Sequence, residues 1–362
     1  MDIKRLYFID IIRAFAILMM LQGHFIDTLL ADSYRDLNDP IFSVWSYFRG
    51  ITAPTFFTIS GLIFTYLLLK AKEKGLENQR MTKGITRGFF LIGIGYLLRI
   101  PVFSWLAGIF SPYFLVIDVL QIIGLSLILI ICIYFLCNNK TILFSIITLL
   151  FGTSIFILEP LYRDLNLTSI PLFLNNYISK SNGSIFTIIP WSGYVCFGAF
   201  IATIFHKNVF KKSFKKIIIT SFILFGFILI FYSSNILVFF SKLLQSQLLM
   251  DAASYNYLFT RFGNVLLIFA FFYSLEKYLK SPLILKIGQK TLSIYVIHFI
   301  IIYGSFTGYG LKYIIGKTLN PIEAIIGAIL FLISVCLLSF YYAKTNTFLY
   351  LNLRKLFHKV KS

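Results

Sequence analysis

Acidic residues are scarce in this chain, and the total fraction of charged residues is small. Only 14 of its 362 residues are Asp or Glu and 13% are charged, whereas 58% are hydrophobic. A soluble domain carries about a quarter charged residues and about half apolar ones. The composition therefore excludes an ordinary soluble protein and predicts an all-α membrane protein, in which each span needs about 20 mostly apolar residues.

Cysteines and polar linkers are also few. Cys132, Cys137, Cys196 and Cys336 lie in apolar segments, without the paired spacing of a zinc site or a redox motif. We therefore expect no metal site and interpret the cysteines as small buried hydrophobic residues. No repeat, low-complexity tract or long polar linker interrupts the chain, which predicts one polytopic transmembrane domain over residues 1–362.

About ten apolar stretches are long enough to cross a membrane as helices. They lie near residues 8–30, 50–70, 88–108, 112–136, 142–159, 186–206, 216–240, 258–279, 291–315 and 322–343. The first follows two basic residues as a secretory signal would, but Asp10 and Arg13 interrupt it and no small-residue cleavage motif follows. We therefore expect it to be retained as a span.

The net charge of +19 comes largely from basic residues gathered in alternate loops. Basic loops of this kind include the one that holds Lys70, Lys72, Lys74, Arg80, Lys83 and Arg87, whereas the opposite loop 31–40, ADSYRDLNDP, is acidic. Loops rich in Lys and Arg remain on the cytoplasmic side. The pattern therefore predicts that both termini face the cytoplasm, as an even number of spans also requires.

The first span carries Asp10, Arg13, His24 and Asp27. A charge at the centre of a bilayer costs at least ~2.5 kcal/mol on insertion scales, so these residues need an explanation. Eleven helical steps separate Arg13 from His24, which places both on one face about 16 Å apart. The sequence thus predicts a polar stripe with Arg13 near the cytoplasmic end and His24 near the opposite end.

Other spans add polar groups near the level of His24, and His298 lies closer to mid-depth. They are Arg49, Arg99, Asp118 with Gln121, and Arg261 with Asn264. Such groups normally face the bundle interior or a wet cavity. Simpler interpretations stay open: Arg49 and Arg261 snorkel to the interface, Asp10 and Arg13 form a structural ion pair, and His298 is a hydrogen-bonded packing residue.

Five segments together resemble the membrane acetyltransferases typified by heparan-α-glucosaminide N-acetyltransferase, within the wider superfamily that includes acyltransferase family 3. The segments are IDIIRAFAILMMLQGH (9–24), APTFFTISG (53–61), IDVLQIIG (117–124), IPWSGYVCFGA (189–199) and IGQKTLSIYVIH (287–298). The spacing of Arg13 and His24 is similar to the arginine and histidine pair of acyltransferase family 3. Members often carry Arg-Gly where this chain has Arg13 and Ala14.

The resemblance implies that an acetyl group passes from cytoplasmic acetyl-CoA to an amine or hydroxyl of a glycan or lipid-linked sugar on the other side of the membrane. It leads us to expect a location in the bacterial cytoplasmic membrane. Whether the protein forms a homodimer stays open. His24 would act as general base or carry the acetyl group, because its ordinary pKa near 6.5 suits proton transfer at neutral pH. Asp27 would orient its ring.

The remaining charged residues would hold the two substrates. Expected acetyl-CoA contacts are Arg13, Asp10, Lys83, Arg87 and Lys290, because cationic groups pair with phosphates. Expected contacts to the acceptor or the oxyanion are Arg49, Arg99, Asp118, Arg261 and His298. A transporter or channel for a small anion or sugar is the alternative function, in which the same stripe would line a permeation path; no internal symmetry of the kind found in transporters is evident.

Overall fold

The computed structural model describes residues 6–165, 167 and 169–360, with side chains as far as residue 342. Helices account for 79% of the chain. Among the residues described, the β-structure amounts to one isolated bridge between Leu30 and Leu319. The predicted all-α fold is confirmed.

Eighteen α-helices follow one another within the described ranges. They are α1 (Tyr7–Leu29), α2 (Pro40–Lys72), α3 (Glu77–Leu97), α4 (Val102–Leu106), α5 (Val119–Leu136), α6 (Thr141–Ile157), α7 (Glu159–Tyr162), α8 (Leu172–Ile178), α9 (Ile188–Asn208), α10 (Phe214–Phe227), α11 (Ser233–Leu244), α12 (Gln247–Ser254), α13 (Tyr257–Ser274), α14 (Glu276–Leu279), α15 (Pro282–Gln289), α16 (Thr291–Tyr303), α17 (Leu311–Ile314) and α18 (Pro321–Val360). A π-helical segment, Ile228–Tyr232, joins α10 to α11.

Seven helical segments in the described part of the chain are long and apolar enough to cross a membrane. The pair α15 and α16, bent by 70° at its break, raises the number to eight if it is counted as one span. The prediction of ten spans is not confirmed. Two of the expected spans coincide with helices outside the seven: α6, which has 17 residues, and α3, which begins at Glu77.

The bounds of α3 differ from the predicted span 88–108 for a physical reason. The segment ENQRMTK at its start is polar but consists mainly of residues that favour helix, so the helix begins well before the apolar stretch. It ends at Leu97, shortly before Pro101, which lacks the N–H that a continuing helix would need. Arg80, Lys83 and Arg87 consequently lie on a helix rather than in a loop.

α1 lies at the centre of the bundle, in contact with α2, α13, α15, α16 and α18. Its side chains Ile12, Ile17 and Leu21 are fully buried. A helix surrounded in this way is shielded from lipid, which lets it carry polar groups into the membrane at a reduced cost.

The helices α2 and α9 pack closely at two glycines, Gly61 and Gly198. A Cβ added at Gly61 would meet the carbonyl oxygen of Val195, and one added at Gly198 would meet that of Thr58. Small residues at such crossings let helix backbones approach within a membrane. The segments APTFFTISG and IPWSGYVCFGA therefore have a packing role, which positions the side chains that α2 directs toward α1.

Candidate active site

Two side-chain contacts connect α1 to α16, one near each end of the stripe. Nη2 of Arg13 donates to Oγ1 of Thr291 at 2.8 Å. Nδ1 of His24 lies 2.9 Å from the hydroxyl oxygen of Tyr303. The helical rise places the two contacts about 16 Å apart, so they define an Arg13 end and a His24 end of the site.

The Arg13 end contains a cavity of about 200 Å³ with three arginines in its wall, Arg13, Arg80 and Arg87. Most of the other lining residues are apolar, and they come from α2, α3, α5 and α16. Arg13 also pairs with Asp10, at 3.7 Å between Nη1 and Oδ1. The cavity thus combines an apolar wall with positive charge, as a phosphate-bearing molecule with a long organic arm would require.

Arg80 is a site residue that sequence reasoning missed. Its Nε is buried without a hydrogen-bond partner, and its guanidinium lies 5.5 Å from the ring centre of Phe64. Once α3 is known to start at Glu77, Arg80 and Arg87 fall seven residues apart and hence on one helix face. That spacing was the available signal, but it was visible only with the correct helix bounds.

Lys83 and Lys290, both predicted to contact acetyl-CoA, do not line this cavity. Lys83 is exposed on α3, and Lys290 is half-buried at the break between α15 and α16. The prediction selected them by charge and sequence position. Neither charge nor sequence position shows which side of a helix faces the bundle.

The His24 end contains a second cavity, of about 250 Å³. His24, Arg49, Arg261 and Trp191 are among its lining residues. Arg49 also pairs with Asp27, and Nη1 of Arg261 donates to the carbonyl oxygen of Gly50. The indole Nε1 of Trp191 is buried without a hydrogen-bond partner.

Tyr303, rather than Asp27, holds the ring of His24. The carboxylate of Asp27 pairs with Arg49 and with Arg35, the latter at 3.8 Å. Asp27 lies three residues beyond His24, which turns its side chain away from that of His24 by about 60° and shifts it along the helix. Because Tyr303 occupies Nδ1, Nε2 is the ring nitrogen left for a reacting group.

His298 lies beside His24 and is fully buried. The two imidazole centres are 5.3 Å apart, and the ring centre of Tyr295, which lines the Arg13 cavity, lies 4.9 Å from that of His298. Neither ring nitrogen of His298 makes a hydrogen bond of standard geometry. His298 therefore packs between rings that belong to both cavities, His24 and Tyr295.

Phe56 lines both cavities. It lies on α2 midway between Gly50 and Ile63, which border the His24 cavity and the Arg13 cavity respectively. The side chain of Phe56 therefore belongs to a wall that the two cavities share. A molecule that filled both cavities would contact this side chain.

Arg99 and Asp118 form a separate, buried ion pair, with Nη2 and Oδ2 2.8 Å apart. Asp118 also caps α5, because its Oδ1 accepts from the backbone N–H of Val119 and its own N–H donates to Gln121. Arg99 belongs to a third cavity, which it shares with Tyr303. The two residues are therefore not in the wall of the His24 cavity, where an acceptor contact was expected.

The sequence from residue 5 to residue 242 matches the family model for the heparan-alpha-glucosaminide N-acetyltransferase catalytic domain. The chain belongs to this family. Membership implies a membrane acetyltransferase, in agreement with the resemblance found in the sequence. No curated protein matches the chain.

The matched segment of this family member includes α1, α2 and α3, which carry Arg13, His24, Phe56, Arg80 and Arg87. The residues that complete the two ends lie beyond it: Arg261 on α13, and Thr291, His298 and Tyr303 on α16. The site is therefore formed jointly by the matched and unmatched parts of the chain.

Proposed function

We propose that this protein transfers the acetyl group of acetyl-CoA to an amine or hydroxyl of a glycan or lipid-linked sugar. The observation that carries the proposal is the pair of cavities that meet at Phe56. One is lined by Arg13, Arg80 and Arg87, and the other by His24 with Arg49 and Arg261. Acetyl-CoA has matching parts, since its phosphates and its thioester lie at opposite ends of a long flexible arm.

The arginines of the first cavity would bind the phosphates. Guanidinium groups form paired, charge-assisted hydrogen bonds with phosphate oxygens, and Arg13, Arg80 and Arg87 present three of them to one space. The apolar part of the wall would contact the pantetheine arm. The thioester would then extend past Phe56 toward Nε2 of His24.

The acceptor would enter the His24 cavity and lose a proton to Nε2 as its oxygen or nitrogen attacks the thioester carbonyl carbon. The new O–C or N–C bond forms while the C–S bond breaks, and the proton passes from His24 to the departing sulfur of CoA. Arg49 and Arg261 line this space and would stabilise the oxyanion. In the alternative route, Nε2 of His24 first takes the acetyl group as CoA leaves, and acetyl-His24 then passes it to the acceptor. The same arginines would stabilise the oxyanion in both steps.

The Arg13 end would face the cytoplasm, where acetyl-CoA is made. The same end of α2 carries Lys70 and Lys72, and α3 starts there with Arg80, Lys83 and Arg87 in its first half. This charge asymmetry supports the orientation. As part of the same proposal, both termini would be cytoplasmic and the membrane would be the bacterial cytoplasmic membrane.

The direct test is an assay of purified protein in nanodiscs with acetyl-CoA and a panel of amino sugars and neutral sugars. We expect release of CoA coupled to acetylation of an acceptor. Because proton transfer contributes about 10²–10⁴ in rate, His24→Ala should lower kcat by that range, whereas Arg13→Ala should mainly raise the KM for acetyl-CoA. Lys83→Ala, an exposed neighbour on α3, is the control, and full activity in both site variants would refute the assignment.

A transporter is the second candidate, and the break between α15 and α16 is the observation that favours it. Broken helices often form substrate sites in transporters. The candidates differ in a measurable way, because a transporter moves a labelled sugar or anion across proteoliposomes without acetyl-CoA. Such movement, abolished by Phe56→Trp, would replace the enzyme proposal.

A further inference from the structure

A groove of about 610 Å³ lies among α6, α9, α10 and α13, and we call it the apolar groove. The helix α6 packs on α9 and α10 packs on α13, and the groove runs between these two helix pairs. Among the residues described, it shares no lining residue with the Arg13 cavity or the His24 cavity. Its volume falls within the range of small-molecule sites.

The floor of the apolar groove is buried and its rim faces the surroundings of the bundle. In the floor, the rings of Phe197 and Phe262 stack with their centres 4.3 Å apart. On the rim, Ile217 and Phe225 of α10 are 58% and 56% exposed. They belong to the candidate span Phe214–Leu244, whose apolar part is only 22% buried inside the protein. In a membrane, acyl chains rather than water meet such a rim.

The polar residues of the apolar groove gather at one end, the turn between α9 and α10. Asn208, Lys211 and Ser213 line it there. Along the rest of the wall the polar members are Thr153 and Ser221, and the hydroxyl of Thr153 donates to a carbonyl oxygen of its own helix. The groove is therefore cationic at one end and apolar along its length, which is the polarity of a lipid with an anionic headgroup.

Lys211 is available to an anion. In the part of the chain that the structure describes, Lys215 pairs with Glu276 at 3.6 Å, whereas Lys211 is exposed and makes no ion pair. The turn lies level with the basic end of α2, because Nζ of Lys70 is 4.9 Å from the ring centre of Phe210. Lysines gathered at a membrane surface attract anionic lipids.

The lining residues also distinguish between kinds of headgroup. No Asp or Glu is among the described residues that line the apolar groove. The ammonium group of a zwitterionic lipid would therefore find no counter-charge in this wall, whereas a phosphate would find Lys211. The charge of the site thus favours a lipid whose headgroup carries a net negative charge.

The length of the apolar groove matches one acyl chain. Its lining residues extend from Asn208 back to Phe197 on α9 and from Phe214 to Phe225 on α10. Eleven helical steps correspond to about 16 Å, and one leaflet of the hydrocarbon core, half of its whole thickness, is about 15 Å deep. A chain whose headgroup lies at the turn would therefore fill the groove and end near the middle of the membrane.

We propose that the apolar groove binds one acyl chain of an anionic glycerophospholipid, with the phosphate at Lys211. This lipid site is separate from the proposed acetyl transfer and does not depend on it. If the Arg13 end faces the cytoplasm, as proposed above, the lipid belongs to the cytoplasmic leaflet. A lipid bound to the folded protein alone would also stabilise it against unfolding.

The headgroup is tested by native mass spectrometry of the full-length protein in detergent. Phosphatidylglycerol and phosphatidylcholine with the same two chains are the probes, and we expect wild type to bind phosphatidylglycerol several-fold more tightly. Lys211→Ala should lower the association constant for phosphatidylglycerol about fivefold, the effect of one lysine near an anionic lipid, and leave that for phosphatidylcholine unchanged. Lys216→Ala removes an exposed lysine of α10 that does not line the groove and is the control.

The chain is tested by filling the apolar groove. Ser221→Trp would place an indole in its middle, so binding of both lipids should fall, and phosphatidylglycerol should no longer raise the melting temperature. Thr220→Trp adds the same ring at the neighbouring, exposed position outside the groove and should behave as wild type. Glycerol 3-phosphate, which has a phosphate but no chains, should not displace bound phosphatidylglycerol.

Three results would overturn the lipid site. They are a wild type that binds the two lipids equally, an equal loss of phosphatidylglycerol binding in Lys211→Ala and Lys216→Ala, and equal lipid binding by Ser221→Trp and Thr220→Trp. The first two would show that no built headgroup site exists, and the third that the chain lies elsewhere. Since none of these measurements uses acetyl-CoA, each would leave the proposed acetyl transfer intact, and a protein without transferase activity would leave the lipid site intact.

Discussion

His24 and Tyr303 are in direct contact, with Nδ1 of the imidazole 2.9 Å from the tyrosine hydroxyl oxygen. The contact joins the end of α16 to the central helix and fixes which ring nitrogen faces the neighbouring cavity. Arg13 and Thr291 make the equivalent contact, at 2.8 Å, at the other end of the same two helices. The donor and acceptor parts of the proposed reaction are thus placed by one pair of helices.

Replacing Tyr303 by Phe should lower kcat about fivefold, as expected when a net contribution of about 1 kcal/mol from one hydrogen bond is lost, and leave the KM for acetyl-CoA unchanged. The ring would keep its packing against Phe299, 4.7 Å away, while His24 would lose the partner that orients it. Steady-state kinetics and the melting temperature should be measured together, with Tyr309→Phe as the exposed control. Unchanged kcat would show that Tyr303 does not position the base.

Replacing Phe56 by Ala should open the shared wall of the two cavities. A wider passage would admit more water around the thioester, so we expect hydrolysis of acetyl-CoA without acceptor to rise several-fold. Phe56→Trp should instead reduce acetyl transfer, because a larger ring narrows the same passage. Phe48→Ala, which removes an exposed ring of α2, is the control; equal hydrolysis in all three variants would mean that Phe56 does not separate the cavities.

Arg80 and Lys83 lie on the same helix and differ in whether they reach the cavity. Arg80→Ala should raise the dissociation constant of acetyl-CoA about 10- to 100-fold, the range for a hydrogen bond to a charged group. Lys83→Ala should leave it within twofold. Titration of acetyl-CoA into both variants decides the matter, and an equal effect of the two would indicate general surface charge rather than a built site.

The buried pair of Arg99 and Asp118 should matter for stability more than for acetyl-CoA binding. Asp118→Ala leaves a buried guanidinium without its partner, a change that costs about 3–5 kcal/mol, and also removes the cap of α5. The double variant Arg99→Met with Asp118→Leu removes both charges and should be less destabilised than Asp118→Ala. Thermal unfolding in detergent measures the order. Because both variants lack the cap of α5, the reverse order would show that the unpaired guanidinium is not what destabilises Asp118→Ala.

The sequence was most informative about α1. The phase of a helix is a local property, so the placement of Arg13 and His24 on one face follows from their spacing alone. Their partners could not be found in this way, because Thr291, Tyr303 and Phe56 meet α1 only through the packing of helices distant in sequence. Asp27 shows the same limit: its closeness in sequence to His24 suggested a contact, whereas its carboxylate pairs with Arg35 and Arg49.

The charged residues outside α1 show a second limit of the sequence. Hydropathy locates the apolar part of a span but not the polar turns that extend it, so α3 was predicted to start too late. Arg80 was consequently assigned to a loop. Lys83 and Lys290 were chosen by charge, a criterion that does not separate residues facing lipid headgroups or solvent from residues facing a cavity.

A cryo-electron microscopy structure of the protein in nanodiscs with acetyl-CoA or a non-hydrolysable analogue tests the central claim most directly. The proposed function predicts phosphates against Arg13, Arg80 and Arg87, the arm passing Phe56, and the acyl carbonyl carbon within reach of His24 Nε2. A molecule of acetyl-CoA bound elsewhere, with the Arg13 cavity empty and no thioester near His24, would contradict it.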